Sequence, residues 1–256
     1  MEVCGNLLVN KRHSIIVESI RENGSVTVTE LANELGVSIE TIRRDLLYLE
    51  RENLLTRVYG GAVSVGDMMP YHELSMRKEE NVEEKIELSK TAAQTVEDGD
   101  VIFIDSGSTP VHFAKAVKNK KITVITCSLD VFNELNGGKA KVILVGGEYR
   151  LAVASFCGAL ALEIIKKLFV NKAYIFPSAV SLRHGVCDFS QDIYPIQKEI
   201  LERADKIFIL ATSNKFERNG MLKICDVLPE YIFITDKKLK KEYENLYLEK
   251  GITVIK

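Results

Sequence analysis

The 256-residue chain predicts an α/β protein in two parts, a small helical N-terminal domain ending in a hairpin and a larger domain built on a mostly parallel sheet. Two observations carry this expectation. Residues 11–63 are dense in helix start and stop signals with short connections, whereas residues 82–256 alternate short β-branched runs with helical patterns, the signature of strands covered by crossover helices. Between them, residues 64–81 hold Gly66, Pro70, three methionines and scattered charges without periodicity, which reads as a linker. The expected organisation is therefore 1–63, 64–81 and 82–256.

From Lys11, the residues Ile15, Ile16 and Ile20 form one apolar face, and Asn23-Gly24 ends that helix with residues that tolerate left-handed geometry. Thr27-x-x-Glu30 is a capping box opening a second helix, whose Leu31, Ala32 and Leu35 make a buried stripe before Gly36. Ser38 is a suitable N-cap for a third helix with Ile42, Leu46 and Leu49 inward at i, i+4 and i+7. Thr41, Arg43 and Arg44 are then left turned partly outward. A short turn between the second and third helices, with hydroxyls and paired arginines opening the third, is the geometry of a helix-turn-helix whose third helix enters the major groove. Arginine suits that place because its planar fork engages guanine edges or phosphate, while Ser38 and Thr41 offer hydroxyls to the backbone. Residues 55–58 and 62–65 flank Tyr59-Gly60-Gly61 as a hairpin, a wing with Arg57 placed to reach the duplex backbone. The plainer alternative is a trihelical bundle for protein contacts, with Arg43 and Arg44 a solvated face.

In the larger part, the runs 101–104, 122–126, 142–145, 173–176, 207–210, 231–235 and 253–255 are expected as strands buried on both faces. Residues 82–96, 110–117, 129–135 and 193–204 are expected as helices. Asp105-Ser106-Gly107-Ser108-Thr109-Pro110 follows the first of these strands and opens a helix. In an open parallel sheet this is where ligands bind, and exposed helix N–H groups with Ser108 and Thr109 favour an anion. A plain strand-to-helix turn uses similar residues, and neither G-x-G-x-x-G nor a Walker Gly-Lys-Ser/Thr follows to name a nucleotide. Further strand ends supply Thr126-Cys127-Ser128, Gly146-Gly147-Glu148-Tyr149-Arg150 and Ser213-Asn214-Lys215, and their convergence predicts a polar pocket.

Composition narrows the field. With 46% apolar and 27% charged residues, the chain is neither disordered nor fibrous. Net charge is −2, and residues 1–63 alone carry 7 Lys+Arg against 9 Asp+Glu, so any duplex binding must rest on where the arginines point. Apolar runs are only strand-sized and residues 1–12 lack a signal-peptide pattern, so a cytoplasmic protein without a membrane span is expected. Cys4, Cys127, Cys157, Cys187 and Cys225 are odd in number and form no C-x-x-C pair, which argues for reduced thiols and against a zinc knuckle. His13, His72, His112 and His184 lack metal-site spacing and read as surface or packing residues. No catalytic set, metal or cofactor is nominated.

Together, Val37-Ser38, Thr41-Ile42-Arg43-Arg44-Asp45-Leu46, Leu49, Leu55, Arg57 and Gly60-Gly61-Ala62 resemble the signature of the DeoR family of bacterial transcription regulators. The resemblance extends from about Lys11 to Thr253. It implies a winged helix-turn-helix that contacts operator DNA through Ser38, Thr41, Arg43, Arg44, Arg57, Gly60 and Gly61. It also implies a sensor domain related in fold to ribose-5-phosphate isomerase, glucosamine-6-phosphate deaminase and CoA transferases. In that domain Asp105, Gly107, Ser108, Thr109, Thr126, Ser128, Gly147, Arg150, Lys198 and Lys215 are implied around a phosphorylated sugar, in a homo-oligomer, dimer or tetramer. Five positions depart from the family pattern. Tyr59 replaces a histidine before the paired glycines, Asn53 replaces a helix-ending glycine, Thr212 replaces an aspartate ahead of Ser-x-Lys, and Phe176-Pro177 replaces a small pair. The expected function is a regulator, most simply a repressor, of a sugar-metabolism operon. The alternatives are a sugar-phosphate isomerase or deaminase using Asp105, and a protein-interaction adaptor, against which Arg43, Arg44 and Arg57 speak.

Overall fold

The computed structural model describes residues 2–23, 25–52, 54–58, 60–64 and 74–256. The N-terminal part runs α1 (Glu2–Asn23), β1 (Ser25–Thr27), α2 (Val28–Leu35), α3 (Ile39–Arg51), β2 (Leu55–Val58) and β3 (Gly61–Ser64). The capping box is present, with Thr27 Oγ1 accepting from Glu30 N at 3.1 Å and Glu30 Oε2 accepting from Thr27 N at 3.2 Å. Gly36 ends α2 at φ 64°, and Ser38 Oγ accepts from Thr41 N at 3.1 Å to open α3. Ile16 and Ile20 of α1, Leu31 of α2, and Ile42, Leu46 and Leu49 of α3 form one core with Leu55 and Ala62. Two features depart from expectation. The first helix starts at Glu2, well before Lys11, and β1 adds a third strand to the hairpin in the order β1-β3-β2, all antiparallel. Three residues directly before a capping box are too few to show a period, so β1 was illegible. Asn53 and Tyr59 lie outside the described residues.

The second part begins with α4 (Leu74–Glu79) and α5 (Val82–Ala93). The expected linker is therefore helical in its second half, with Leu74 buried, and residues 65–73 lie outside those described. There follow β4 (Val101–Ile104), α6 (Ser108–Val117), β5 (Thr123–Thr126), α7 (Leu129–Leu135), β6 (Lys141–Leu144), β7 (Glu148–Arg150), β8 (Ser155–Cys157) and α8 (Gly158–Ile165). The chain continues through β9 (Val170–Ile175), β10 (Ala179–Ser181), β11 (Gly185–Asp188), α9 (Tyr194–Leu201), β12 (Ala204–Leu210), β13 (Leu222–Cys225), β14 (Ile232–Ile234), α10 (Lys241–Glu249) and β15 (Thr253–Ile255).

Seven strands form one parallel sheet in the order β15-β14-β12-β9-β4-β5-β6. Its faces are read directly off β4. Ile102 and Ile104 pack with Leu88, Phe113 and Val131 of α5, α6 and α7, while Phe103 between them packs with Ile165, Ile200 and Tyr247 of α8, α9 and α10. The sheet is thus covered on both sides, as parallel sheets require. The hairpin β7-β8 and the antiparallel sheet β10-β11-β13 are additions of three- and four-residue strands, again too short to announce themselves. Going outward from β4, the chain first builds β5 and β6 on one side and then β9, β12, β14 and β15 on the other, so the order reverses between β4 and β9. Ligands bind at the carboxyl ends of strands at such a reversal.

Candidate nucleic-acid interface and effector pocket

Helix α3 buries one face and presents the other. Ile42, Leu46 and Leu49 are buried, Thr41 is half-buried, and Arg43 and Arg44 are exposed, with Arg43 at 66%. The helix is anchored from behind. Arg12 of α1 donates to both carboxylate oxygens of Asp45, at 2.5 and 2.9 Å, and His13 Nε2 lies 3.0 Å from Asp45 Oδ1 while its ring stacks on Tyr48. Burial alone would raise the Asp45 carboxyl, but the hydrogen bonds from Arg12 and His13 outweigh it and hold it below its ordinary value. The result fixes the roll of α3 and so the direction in which Arg43 and Arg44 point.

Ser38 Oγ and Thr41 Oγ1 lie 2.8 Å apart, so both hydroxyls take part in the cap of α3. Arg57 is 42% exposed and is held at its backbone N by Glu50 Oε1 at 2.9 Å. A groove of about 440 Å³ runs between α3 and the wing, lined by Ile39, Arg43, Arg57, Gly60 and Gly61, with Gln191 of the larger domain on its border. The paired glycines have distinct structural reasons. Gly60 sits at φ 84°, and a Cβ on Gly61 would stand 2.0 Å from Val26 O on β1. Both therefore shape the wing.

At the sheet's reversal, Asp105 follows β4 and is 1% exposed. Its backbone N donates to Tyr174 O of β9 at 3.1 Å, and its Oδ2 accepts from Phe176 N at 3.2 Å and Gln197 Nε2 at 2.9 Å. Gln197 Nε2 also reaches Asp188 Oδ2 at 3.2 Å, and Ser178 Oγ donates to Asp188 Oδ1 at 3.1 Å. Burial raises the Asp105 carboxyl to about 7. Asp105 Oδ1 and Gln197 Oε1 are buried and find no hydrogen-bond partner among the described residues. Two unmet acceptors in a buried cluster match the hydroxyl donors of a polyol.

The other expected ligand residues divide. Gly107 precedes α6 at φ 133°, and Ser108 and Thr109 are buried in its first turn. Thr126 and Ser128 are buried, but Thr126 Oγ1 accepts from Ser128 N at 3.1 Å and Ser128 Oγ caps α7 by accepting from Val131 N at 3.3 Å. Gly147 lets β7 pass β8, because a Cβ there would meet Cys157 O at 2.6 Å. Lys215 is half-buried and donates to Pro177 O at 2.8 Å; burial, together with nearby Arg77 and Lys85, pushes its ammonium down to about 8. Arg150 and Lys198 are not brought to the Asp105 cluster. Arg150 is exposed between Glu148 at 3.1 Å and Asp192 at 3.5 Å, and Lys198 is exposed with its ammonium 5.9 Å from the Tyr194 ring centroid.

Sequence reasoning missed Gln197, Asp188 and Lys85. Gln197 had a signal, since it completes the stripe Ile193, Ile196, Gln197, Ile200 at i, i+3, i+4 and i+7, all buried. A glutamine in an apolar stripe is the informative residue, and its neighbour Lys198 necessarily points elsewhere. Lys85, 4% exposed, donates to Glu80 O at 2.5 Å and to Arg77 O, tying α4 to α5. Thr212 leaves an acid missing from its own place, but Asp236 Oδ2 accepts from Ser213 N at 2.7 Å and holds the turn. Among the described residues no three His, Cys, Asp or Glu side chains cluster to hold a metal ion, and no helix is long and apolar enough to cross a membrane.

A winged helix with an exposed basic α3, followed by a parallel α/β domain with a polar cluster at its switch point, defines a DNA-binding regulator with a sensor domain. The chain belongs to the DeoR family: residues 12–67 match the DeoR-like helix-turn-helix domain and residues 80–237 the DeoR C-terminal sensor domain. It is 34% identical over 242 residues to the lactose phosphotransferase system repressor of Lactococcus lactis subsp. lactis, spanning 92% of this chain and 94% of that one. It is 27% identical over 250 residues to the putative aga operon transcriptional repressor of Escherichia coli O157:H7, spanning 96% and 93%. A ribose 5-phosphate isomerase from Methanocaldococcus jannaschii aligns over 53% of this chain and 55% of its own at a TM-score of 0.41 and 16% identity. The similar full-length relatives are regulators of transcription, in line with the regulator expected from the sequence and not with its enzyme alternative.

Proposed function

We propose that this protein represses a sugar-metabolism operon, that Arg43, Arg44 and Arg57 hold its operator, and that a phosphorylated sugar at the Asp105 cluster sets operator affinity. The observation that carries the DNA-binding part is the two-sided α3, buried at Ile42, Leu46 and Leu49 and exposed at Arg43 and Arg44. Arg57 flanks the same groove. Ser38 and Thr41 open the helix at the edge of that face, and Gly60 and Gly61 shape the wing.

The sugar reading is supported by the two unmet acceptors, Asp105 Oδ1 and Gln197 Oε1, which take hydroxyls. The phosphate reading is supported by the N-terminus of α6 with Gly107, Ser108 and Thr109, and by Lys215 with Arg77 and Lys85 close by. Thr126, Ser128 and Gly147 then act by shaping the pocket wall, and Gln197 takes the place first given to Lys198. An effector that prefers the DNA-free arrangement by about 1–3 kcal/mol changes operator affinity several-fold to about a hundredfold. The protein works as a homo-oligomer, dimer or tetramer, in the cytoplasm, and a palindromic operator matches two-fold symmetry.

The test is a panel of sugar phosphates added to the protein bound to a duplex from upstream of its own gene. One member should raise the melting temperature and change duplex affinity. A panel in which nothing binds, or in which the bound compound is turned over, contradicts the reading.

A further inference from the structure

The larger domain touches the wing directly. Ser25 Oγ of β1 donates to Met221 O at 3.0 Å, a Cβ on Gly61 would stand 2.9 Å from Met221 Sδ, and one on Gly60 would stand 3.3 Å from Gln191 Nε2. Gln191 therefore lies against the wing and borders the groove that Arg43 and Arg57 line.

Both contact residues hang from one point, Asp188. Its Oδ1 accepts from Phe189 N at 2.6 Å and Ser190 N at 3.2 Å, which fixes the start of the loop carrying Gln191. Asp188 also stands opposite Leu222 in the β11-β13 pairing, so Met221 is one residue from that register. Its Oδ2 accepts from Gln197, which in turn holds Asp105. The path from the candidate sugar pocket to the wing thus runs Asp105, Gln197, Asp188, Gln191 and Gly60, through hydrogen bonds, one short loop and, at its end, the packing of the Gln191 side chain against Gly60.

We propose that Gln191 and Met221 form an inhibitory seat for the wing, that the seated arrangement excludes duplex DNA, and that the pocket controls the seat through Asp188. This rests on the regulator reading above and adds its regulation. Exclusion is favoured over a DNA contact by Gln191 because the side chain occupies the border of the groove a phosphate backbone has to enter. A ligand hydroxyl that donates to Gln197 Oε1 orients the same carboxamide whose Nε2 holds Asp188, and by firming that hold favours the seated wing, the sign expected of an effector that prefers the DNA-free arrangement.

The experiment uses the full chain without ligand, titrated against a fluorescein-labelled duplex from upstream of its gene. The variants are Gln191→Ala, which is exposed and leaves the core intact, and Met221→Ala. Amide hydrogen exchange of residues 60–62 reads the seat itself. Gln191→Ala should bind at least about fivefold more tightly than the parent, the lower end of usual coupling between sites, with faster exchange at 60–62. Binding by the variant where the parent shows none has the same meaning. Unchanged affinity overturns the proposal whatever the exchange shows, as does absence of binding by every form. Weaker binding by Gln191→Ala also overturns it and makes Gln191 a DNA contact. The Arg43→Ala/Arg44→Ala variant separates the two layers: if it binds like the parent, the recognition-helix reading has failed, independently of the seat.

Discussion

The carboxamide of Gln197 donates to Asp105 at 2.9 Å, and this bond joins the helix α9 to the strand end where the sheet order reverses. The adjacent lysine, Lys198, faces solvent. One residue of helical phase thus decides which side chain meets a ligand.

From this pair comes a contrast in ligand response. Gln197→Ala should lose the melting-temperature shift produced by the effective sugar phosphate, because it removes one unmet acceptor and unpins Asp105. Lys198→Ala should keep that shift, and thermal-shift titration of both variants reads the difference. Loss in Lys198→Ala with retention in Gln197→Ala reverses the assignment.

Asp105 makes stability depend on pH. Its folded-state value, raised by burial to about 7, lies above the ordinary carboxyl value of 3.8. The unfolded chain therefore releases this proton first, and stability contributed by the protonated carboxyl is present below pH 4 and lost as pH rises to about 7. Asp105→Asn, which stays neutral, should be more stable than the parent at pH 8 by ~1–3 kcal/mol, with the advantage vanishing toward pH 4. Urea unfolding at the two pH values measures this.

The Arg12–Asp45 pair works in the opposite direction. Asp45 is held below its ordinary value, so its contribution is present at neutral pH and is lost as pH falls through the lowered value. Arg12→Ala leaves a largely buried carboxylate without its main partner and should cost ~1–3 kcal/mol at pH 7 in the N-terminal domain. Because the same pair sets the roll of α3, duplex affinity should fall as well. A variant with parent stability at pH 7 and parent affinity contradicts this.

Gly61→Ala tests the wing. The added Cβ meets backbone, Val26 O, at 2.0 Å, which no rotamer relieves. The variant should lose about 2 kcal/mol or more and bind duplex weakly, whereas Gly36→Ala meets no atom within 4 Å and carries only the penalty of its positive φ. Equal melting curves for Gly61→Ala and the parent contradict the close approach.

Much of this was legible in the sequence, for physical reasons specific to each element. Thr27-x-x-Glu30, Ser38 and the stripe Ile42, Leu46, Leu49 are local signals, and α2 and α3 form where they say. Each of the seven runs falls on a strand of the large sheet, and the inner strands are apolar because both faces are covered, whereas the edge strands β6 and β15 are only partly buried, since an edge has a neighbour on one side alone. What escaped depends on long-range pairing. Strands β10, β11 and β13 are held by partners up to dozens of residues away, and the helix Leu74–Glu79 forms in a segment whose sequence lacks a period. The buried cluster was half visible. Asp105 was found because it ends a strand, but Asp188 and Gln197 reach it only through the fold.

The central claim, that the outer face of α3 reads duplex DNA, is tested most directly by anisotropy titration of the Arg43→Ala/Arg44→Ala variant against the upstream duplex across a salt series. The parent should bind with a steep salt dependence, and the variant should bind at least about a hundredfold more weakly with a shallower slope. Equal affinity and equal slope for the two proteins contradict it.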